Sequence, residues 1–125
     1  MRLLLDTNVL LWFMNDNVRL RPEGRKLMDE AAEIHVSSVS VWEIAIKSRL
    51  GRLNAEPDEV VEAMVKNGML ELPVFNRHAI AAGRLPAHHQ DPFDRLLIAQ
   101  AVTEQMCLLT SDVQLRSYSE LVKCV

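Results

Sequence analysis

The chain has 125 residues, 14 Lys and Arg against 17 Asp and Glu, a formal charge of −3 and 49% hydrophobic residues, so it reads as one ordinary domain over residues 1–125 with a core that needs no disulfide or structural metal. Cys107 and Cys124 form no C-x-x-C pair, and His35, His78, His88 and His89 lack the spacing of a zinc site. No apolar run approaches the ~18 residues of a membrane span and Asp6 comes too early for a secretory signal, so a soluble, cytoplasmic protein with no membrane contact is expected; its mild acidity speaks against passive electrostatic binding to nucleic acid.

Taken in order, the segments alternate between short apolar runs and amphipathic stretches. Leu3-Leu4-Leu5 suits a strand buried on both faces. Thr7 and Asn8 offer N-cap chemistry for a helix carrying Val9, Leu10, Leu11, Trp12 and Phe13. Pro22 opens a second helix ending near Ala32. Ile34-His35-Val36 is the next strand, and Ser37, Ser38 or Ser40 caps a helix from about Val39 to Leu50, stopped by Gly51. Pro57 and Asp58 start a helix that ends at Asn67-Gly68, and Leu70-Glu71-Leu72 is a brief strand. Asn76 is expected to cap a short helix over Ala79, Ile80 and Ala82. Asp91 as N-cap and Pro92 at the first helical position begin the clearest helix, which runs through Leu96, Leu97, Ala99 and Val102. Cys107-Leu108-Leu109 is a buried strand, and Leu121-Val122 an edge strand. This alternation predicts an α/β fold, a central, mostly parallel sheet of four to five strands flanked by helices in three layers.

In such sheets ligands bind beyond the carboxyl ends of the strands. Asp6 directly follows the first strand, Glu43 lies near the start of the helix after the second, Asp94 is in the first turn of the Asp91-Pro92 helix, and Asp112 comes shortly after Leu109. Each has an ordinary structural reading: a Ser40–Glu43 capping box, a helix-dipole partner for Asp94, turn residues for Asp6 and Asp112. Together, carboxylates crowded at one crest repel one another unless a cation holds them. Mg²⁺, with Mn²⁺ able to substitute, is the simplest such ion, since it takes oxygen ligands and keeps several waters. A carboxylate-held divalent ion suits phosphate chemistry. It also answers the charge objection, because the ion supplies the positive potential an acidic pocket lacks. With four of the 17 acids assigned to the site, 13 remain against 14 bases. Lys47, Arg49, Arg52 and Arg95 lie close to the acids along the chain; they read either as substrate contacts or as solvated helix surface, Glu43 and Lys47 then being a plain i,i+4 pair.

Four ordered segments carry a family resemblance. Leu5-Asp6-Thr7-Asn8-Val9-Leu10, Ser38-Val39-Ser40-Val41-Trp42-Glu43-Ile44-Ala45-Ile46-Lys47, Asp91-Pro92-Phe93-Asp94-Arg95-Leu96-Leu97-Ile98-Ala99-Gln100-Ala101 and Leu108-Leu109-Thr110-Ser111-Asp112 resemble, in sequence order, the acid motifs of PIN-domain proteins, specifically VapC-type toxin ribonucleases of bacterial toxin–antitoxin pairs. The resemblance implies a PIN-like fold and a Mg²⁺-dependent endoribonuclease. Asp6 and Asp94 would be the primary metal ligands, Glu43 would complete the pocket and orient the attacking water, and Asp112 would be a fourth, supporting or water-mediated acid. Thr7, Asn8 and Ser111 would hydrogen-bond the acids or the phosphate. It also implies an RNA substrate, a cognate antitoxin and a homodimer. Trp12, Phe13 and Trp42 are candidates for those protein contacts, and Met64 and Met69 for an adaptable partner surface. His88 and His89 read as loop surface within reach of substrate.

Two other function classes stand beside the nuclease. A PIN-fold module that binds RNA or protein without catalysis would lack a primary acid, and none is missing. A receiver-like Mg²⁺-dependent phosphate switch needs an acceptor Asp at a central strand end and a Lys after a later strand. Asp58 instead starts a helix, and no Lys follows Leu109.

Overall fold

The computed structural model describes residues 1–88 and 90–125; the expectation for His89 lies outside them. The elements are β1 (Arg2–Leu5), α1 (Thr7–Met14), α2 (Pro22–Glu30), β2 (Glu33–Ser37), α3 (Ser38–Arg49), α4 (Pro57–Lys66), β3 (Leu70–Leu72), α5 (Asn76–Arg84), α6 (Pro92–Glu104), β4 (Cys107–Thr110), a 3₁₀ helix (Val113–Tyr118) and β5 (Val122–Cys124). The strands form one five-stranded sheet in the order β3-β2-β1-β4-β5, every neighbouring pair parallel. The expected α/β architecture is therefore observed in its all-parallel form. Among the described residues no helix is long and apolar enough to cross a membrane.

Strand pleating divides the core in two. Leu3 and Leu5 of β1 and Cys107 and Leu109 of β4 enter one cluster, with Val9, Leu10, Met28, Ile44, Val60 and Met64 from the helices. Leu4 and Leu108 point the other way, into a cluster with Leu97, Ile98, Met106 and Leu115. Successive residues of a strand face opposite sides, so an unbroken Leu run is the sequence of a strand covered on both faces. Helix α3 serves both clusters, Ile44 entering the first and Val39 the second.

Several boundaries correct the expectation. Asp6, rather than Thr7 or Asn8, is the N-cap of α1: its backbone is extended and its carboxylate accepts the Val9 N–H at 2.8 Å. Ser37 caps α3, its hydroxyl accepting from Val39 N–H at 3.1 Å. The helix thus begins early enough to put Glu43 in its second turn, and the Ser40–Glu43 capping box does not form. Asn76 is the first helical residue of α5 instead of its cap; the cap is Phe75, whose N–H donates to His78 Nδ1 at 3.0 Å. The last strand runs from Val122 to Cys124, and the 3₁₀ helix was not expected.

The helix stops follow backbone chemistry. Gly51 at φ +74° and Gly68 at φ +69° take the left-handed conformation that closes α3 and α4. Arg52 N–H then bonds Lys47 O at 2.9 Å, and Met69 N–H bonds Met64 O at 3.0 Å. Gln105 does the same work after α6 at φ +56°, with Met106 N–H on Ala101 O at 2.9 Å. Met64 and Met69 are buried core residues, which corrects their expected place on a partner surface. Trp12 and Phe13 pack half-buried against the first cluster, whereas Trp42 is 61% exposed.

Candidate active site

From β1 the chain builds β2 and β3 outward on one side, then crosses to build β4 and β5 on the other. The topological switch therefore lies between β1 and β4, and the crevice beyond their carboxyl ends is where an open α/β sheet takes its ligand. Asp6 follows β1 and Thr110 ends β4, so the register that pairs Leu5 with Leu109 brings them side by side. Asp6 N–H continues the ladder to Leu109 O at 3.0 Å.

Asp6 is 5% exposed, a severe environment for a carboxylate. Oδ1 accepts from Val9 N–H, and Oδ2 accepts a short hydrogen bond from the Thr110 hydroxyl. Burial pushes its pKa up, opposed by the Thr110 hydroxyl and the Val9 and Ser111 backbone N–H groups and assisted by the nearby Glu43 charge. A cation would relieve both the burial and the repulsion.

Glu43 is 7% exposed, and both its oxygens are engaged. Oε1 accepts from the Thr7 hydroxyl at 2.6 Å, and Oε2 pairs with Lys47 Nζ at 2.6 Å. Thr7 begins the helix that Asp6 caps, so one peptide unit carries both the first acid and the hydroxyl that positions the second. Lys47 forms the i,i+4 pair the spacing allowed, and its ammonium lies on the acid itself.

Asp94 and Asp112 reach the same edge by a different route. Because α6 leads into the parallel strand β4, its N-terminus lies at the carboxyl ends of the strands, and Asp94 is half-buried in its first turn. Asp91 caps that helix, accepting from Phe93 N–H at 2.9 Å and Asp94 N–H at 3.1 Å. Asp112 caps the 3₁₀ helix through Gln114 N–H at 2.9 Å, and its own N–H donates to Thr110 Oγ1 at 3.1 Å. Trp42 and Phe93, each one residue before an acid, meet edge-to-face with centroids 5.5 Å apart and tie α3 to α6 at that level.

The site thus brings Asp6 and Glu43 together and sets Asp94 and Asp112 on the same edge. Among the described residues, no three His, Cys, Asp or Glu side chains converge closely enough to share one metal ion. Two adjacent carboxylates with hydroxyl neighbours still fit a hydrated Mg²⁺ or Mn²⁺, which takes one or two carboxylates and retains water, better than an ion requiring a closed protein cage.

Of the other expected residues, Asn8 is exposed on α1 and Ser111 serves Asp6 through its backbone. Arg95 is committed elsewhere. Its guanidinium donates to Pro86 O at 2.9 Å, Ala82 O at 2.8 Å and Leu85 O at 3.0 Å, tethering the connection between α5 and α6. His88 is exposed and meets Tyr118 edge-to-face at 5.1 Å.

Thr110 gives no local signal in the sequence, because its role depends on the β1–β4 pairing, and Ser40 signals only a helix cap. Ser40 is fully buried, and its hydroxyl has no hydrogen-bond partner.

No curated protein sequence matches the chain. Among solved structures, it is similar to VapBC2 from Rickettsia felis bound to a promoter DNA fragment, with TM-score 0.73 at 14% identity over 99% of this chain and 98% of that one. It is also similar to a toxin–antitoxin complex from Klebsiella pneumoniae (TM-score 0.68, 16% identity, 96% and 94% covered) and to DNA-bound VapBC from Salmonella typhimurium (0.68, 14%, 100% and 97%). At these identities the likeness establishes a shared fold. The PIN domain family model matches residues 3–121, nearly the whole chain, and on that match, with its acids at the carboxyl edge of a parallel sheet, the chain belongs to the PIN domain family.

Proposed function

We propose that this protein is a Mg²⁺-dependent endoribonuclease and the toxin of a toxin–antitoxin pair. The observation that carries the reading is the buried Asp6–Glu43 carboxylate pair at the β1/β4 switch, supported on three sides by Thr7, Thr110 and Lys47. The likeness to toxin–antitoxin complexes supports an antitoxin as partner, and a homodimer is the proposed working form. Action in the cytoplasm is part of the same proposal.

Asp6 and Asp94 are the proposed ligands of the ion, with Glu43 beside them and Asp112 in a supporting position. When bound, the ion supplies Lewis-acid polarisation of a phosphoryl oxygen and makes water acidic enough to attack at neutral pH. The chain's own contribution is orientation. Thr110, Val9 N–H and Ser111 N–H hold Asp6 in one rotamer. Thr7 and Lys47 hold Glu43 so that its carboxylate orients a water toward the phosphodiester. Asn8 and Ser111 are the proposed hydrogen-bonding groups on the phosphate side, while Thr7 serves through its hydroxyl on Glu43. Lys47 is 45% exposed at its side chain and is available to an RNA backbone on its outer side.

The experiment is cleavage of a panel of structured and single-stranded RNAs by the purified chain with Mg²⁺, with Mn²⁺ and with chelator. Asp6→Asn and Asp94→Asn are expected to abolish cleavage with the fold retained, and Glu71→Gln, at an exposed position of the edge strand β3, to leave it unchanged. Wild-type rates in both Asp variants would refute the assignment. A binding module without catalysis is the second reading, favoured by the lack of a three-carboxylate cluster among the described residues; metal-independent RNA binding with no cleavage of any RNA would select it. Growth arrest on expression, relieved by a small neighbouring gene product, distinguishes a toxin from a housekeeping nuclease.

A further inference from the structure

Four buried polar residues at the carboxyl edge, Thr7, Ser37, Ser40 and Thr110, carry hydroxyls. Three have a task in the protein. Thr7 donates to Glu43, Thr110 donates to Asp6, and Ser37 caps α3. Ser40, at 0% exposure, has none. A buried hydroxyl without a partner loses its hydrogen bonds to water and recovers nothing, so a native structure carrying one calls for a ligand or an ordered water to complete it.

The position of Ser40 says which ligand. It precedes Glu43 by three residues in α3, so the two side chains lie one above the other on the same helical face. That face is the seam between the core clusters. Val39, on one side, belongs to the cluster of Leu97 and Ile98 of α6, the helix whose first turn carries Asp94; Ile44, on the other, belongs to the cluster of Leu5, which precedes Asp6, and Val9, whose N–H Asp6 accepts. Helix α3 contacts both α1, which Asp6 caps, and α6, which carries Asp94, and Ser40 is fully buried on it. A hydroxyl is a weak ligand for a divalent ion and a good partner for one of its waters, since it both donates and accepts.

We infer that Ser40 is a positioning residue that hydrogen-bonds a water in the hydration shell of a divalent cation held by Asp6 beside Glu43. The inference rests on the metal-dependent reading of the site, and the test separates the two. Mn²⁺ is titrated into the metal-free full chain as wild type, Ser40→Ala and Asp6→Asn, with loss of the free-ion paramagnetic resonance signal as readout. Thermal midpoints are measured on the same metal-free samples.

Ser40→Ala is expected to weaken Mn²⁺ binding about tenfold, the lower end of the effect of removing an outer hydrogen-bond partner of a metal site. Its metal-free midpoint should equal or exceed that of wild type, because the deleted hydroxyl had no partner to lose. A change in affinity under about twofold, with wild type binding normally, overturns the inference. So does a metal-free midpoint several degrees below wild type, which would mean the hydroxyl serves the fold. If wild type fails to bind Mn²⁺, or Asp6→Asn binds it as wild type does, the metal reading itself falls and this inference with it.

Discussion

Asp6 does two jobs that a pair of substitutions can separate. As the N-cap of α1 it needs only an oxygen facing Val9 N–H, whereas as a metal carboxylate it needs the charge that burial opposes. Asn caps a helix about as well as Asp, so Asp6→Asn keeps the cap and removes a buried charge. Asp6→Ala loses the cap, about 0.5–2 kcal/mol, and leaves the buried Thr110 hydroxyl without its carboxylate acceptor, about 1–3 kcal/mol, partly offset by relief of the same charge. A net loss of about 1–3 kcal/mol follows. Unfolding entropy of about 2.1 cal/mol/K per residue makes 1 kcal/mol worth roughly 4 °C for a chain of this length, so Asp6→Ala should melt about 4–12 °C below wild type. Asp6→Asn keeps the cap but, with one oxygen facing Val9 N–H, offers Thr110 an amide N–H in place of an acceptor; with the cap kept and the charge relieved it should melt above Asp6→Ala in chelator at pH 7. The sign follows from linkage: burial raises the folded pKa above 3.8, so the native state holds a proton the unfolded chain has lost, and stability falls as pH rises through that window. The charge-relief part of the Asp6→Asn effect is therefore present at pH 7 and vanishes below about pH 3.8. Calorimetric melts at both pH values, run beside the RNA cleavage assay, check this. Equal destabilisation by Asn and Ala, or cleavage retained in the Asn variant, would refute the division of roles.

Thr7→Val removes the buried hydroxyl from Glu43 and should cost about 1.5–3 kcal/mol, the range for a hydrogen bond to a charged group; chemical denaturation measures it, with a loss of cleavage expected in parallel. Gln105→Gly relieves a side chain held at φ +56° and should stabilise by about 0.5–1 kcal/mol, since glycine alone takes that conformation without steric cost; a melting point lower than wild type would count against the strain. The Arg77 and His78 hydrogen bonds hold the Glu104 carboxyl down at about 2, from 4.5, so the unfolded chain binds more protons between those values. The stability this pair contributes is full above about pH 4.5 and is lost as pH falls toward 2; Glu104→Gln should flatten that part of the melting profile. Arg95→Met frees Pro86, Ala82 and Leu85 carbonyls from one guanidinium and should speed limited proteolysis between α5 and α6; an unchanged proteolysis rate would count against the tether.

Much of the fold is legible because local chemistry and burial agree. The unbroken Leu3-Leu4-Leu5 and Cys107-Leu108-Leu109 runs state that both faces of their strands are covered, and Asp91-Pro92, Gly51 and Gly68 mark helix ends by backbone rules that hold in any tertiary setting. The order of the four acids relative to strands and helices, and with it the PIN resemblance, is likewise written in the chain. Helix starts were less secure: Asp6, Ser37 and Phe75 compete for their caps with neighbours of similar chemistry, and the winner depends on where the preceding strand stops.

Other decisions needed the third dimension. Thr110 meets Asp6 across 104 positions of sequence only because β4 pairs with β1, a choice of sheet neighbour that no local pattern records. Arg95 lies next to an acid along the chain, yet turns away to three carbonyls, and Met64 and Met69 enter the core instead of a partner surface. Ser40 became informative only once the true start of α3 removed its capping role and left its hydroxyl buried without a partner. Residue types and their spacing determined which elements form and on which sheet edge the acids fall, because those follow from short-range sterics and a repeating pattern of burial. Which hydroxyl, cation or carbonyl each side chain meets depends on long-range strand pairing and helix packing, and only the tertiary structure decided that.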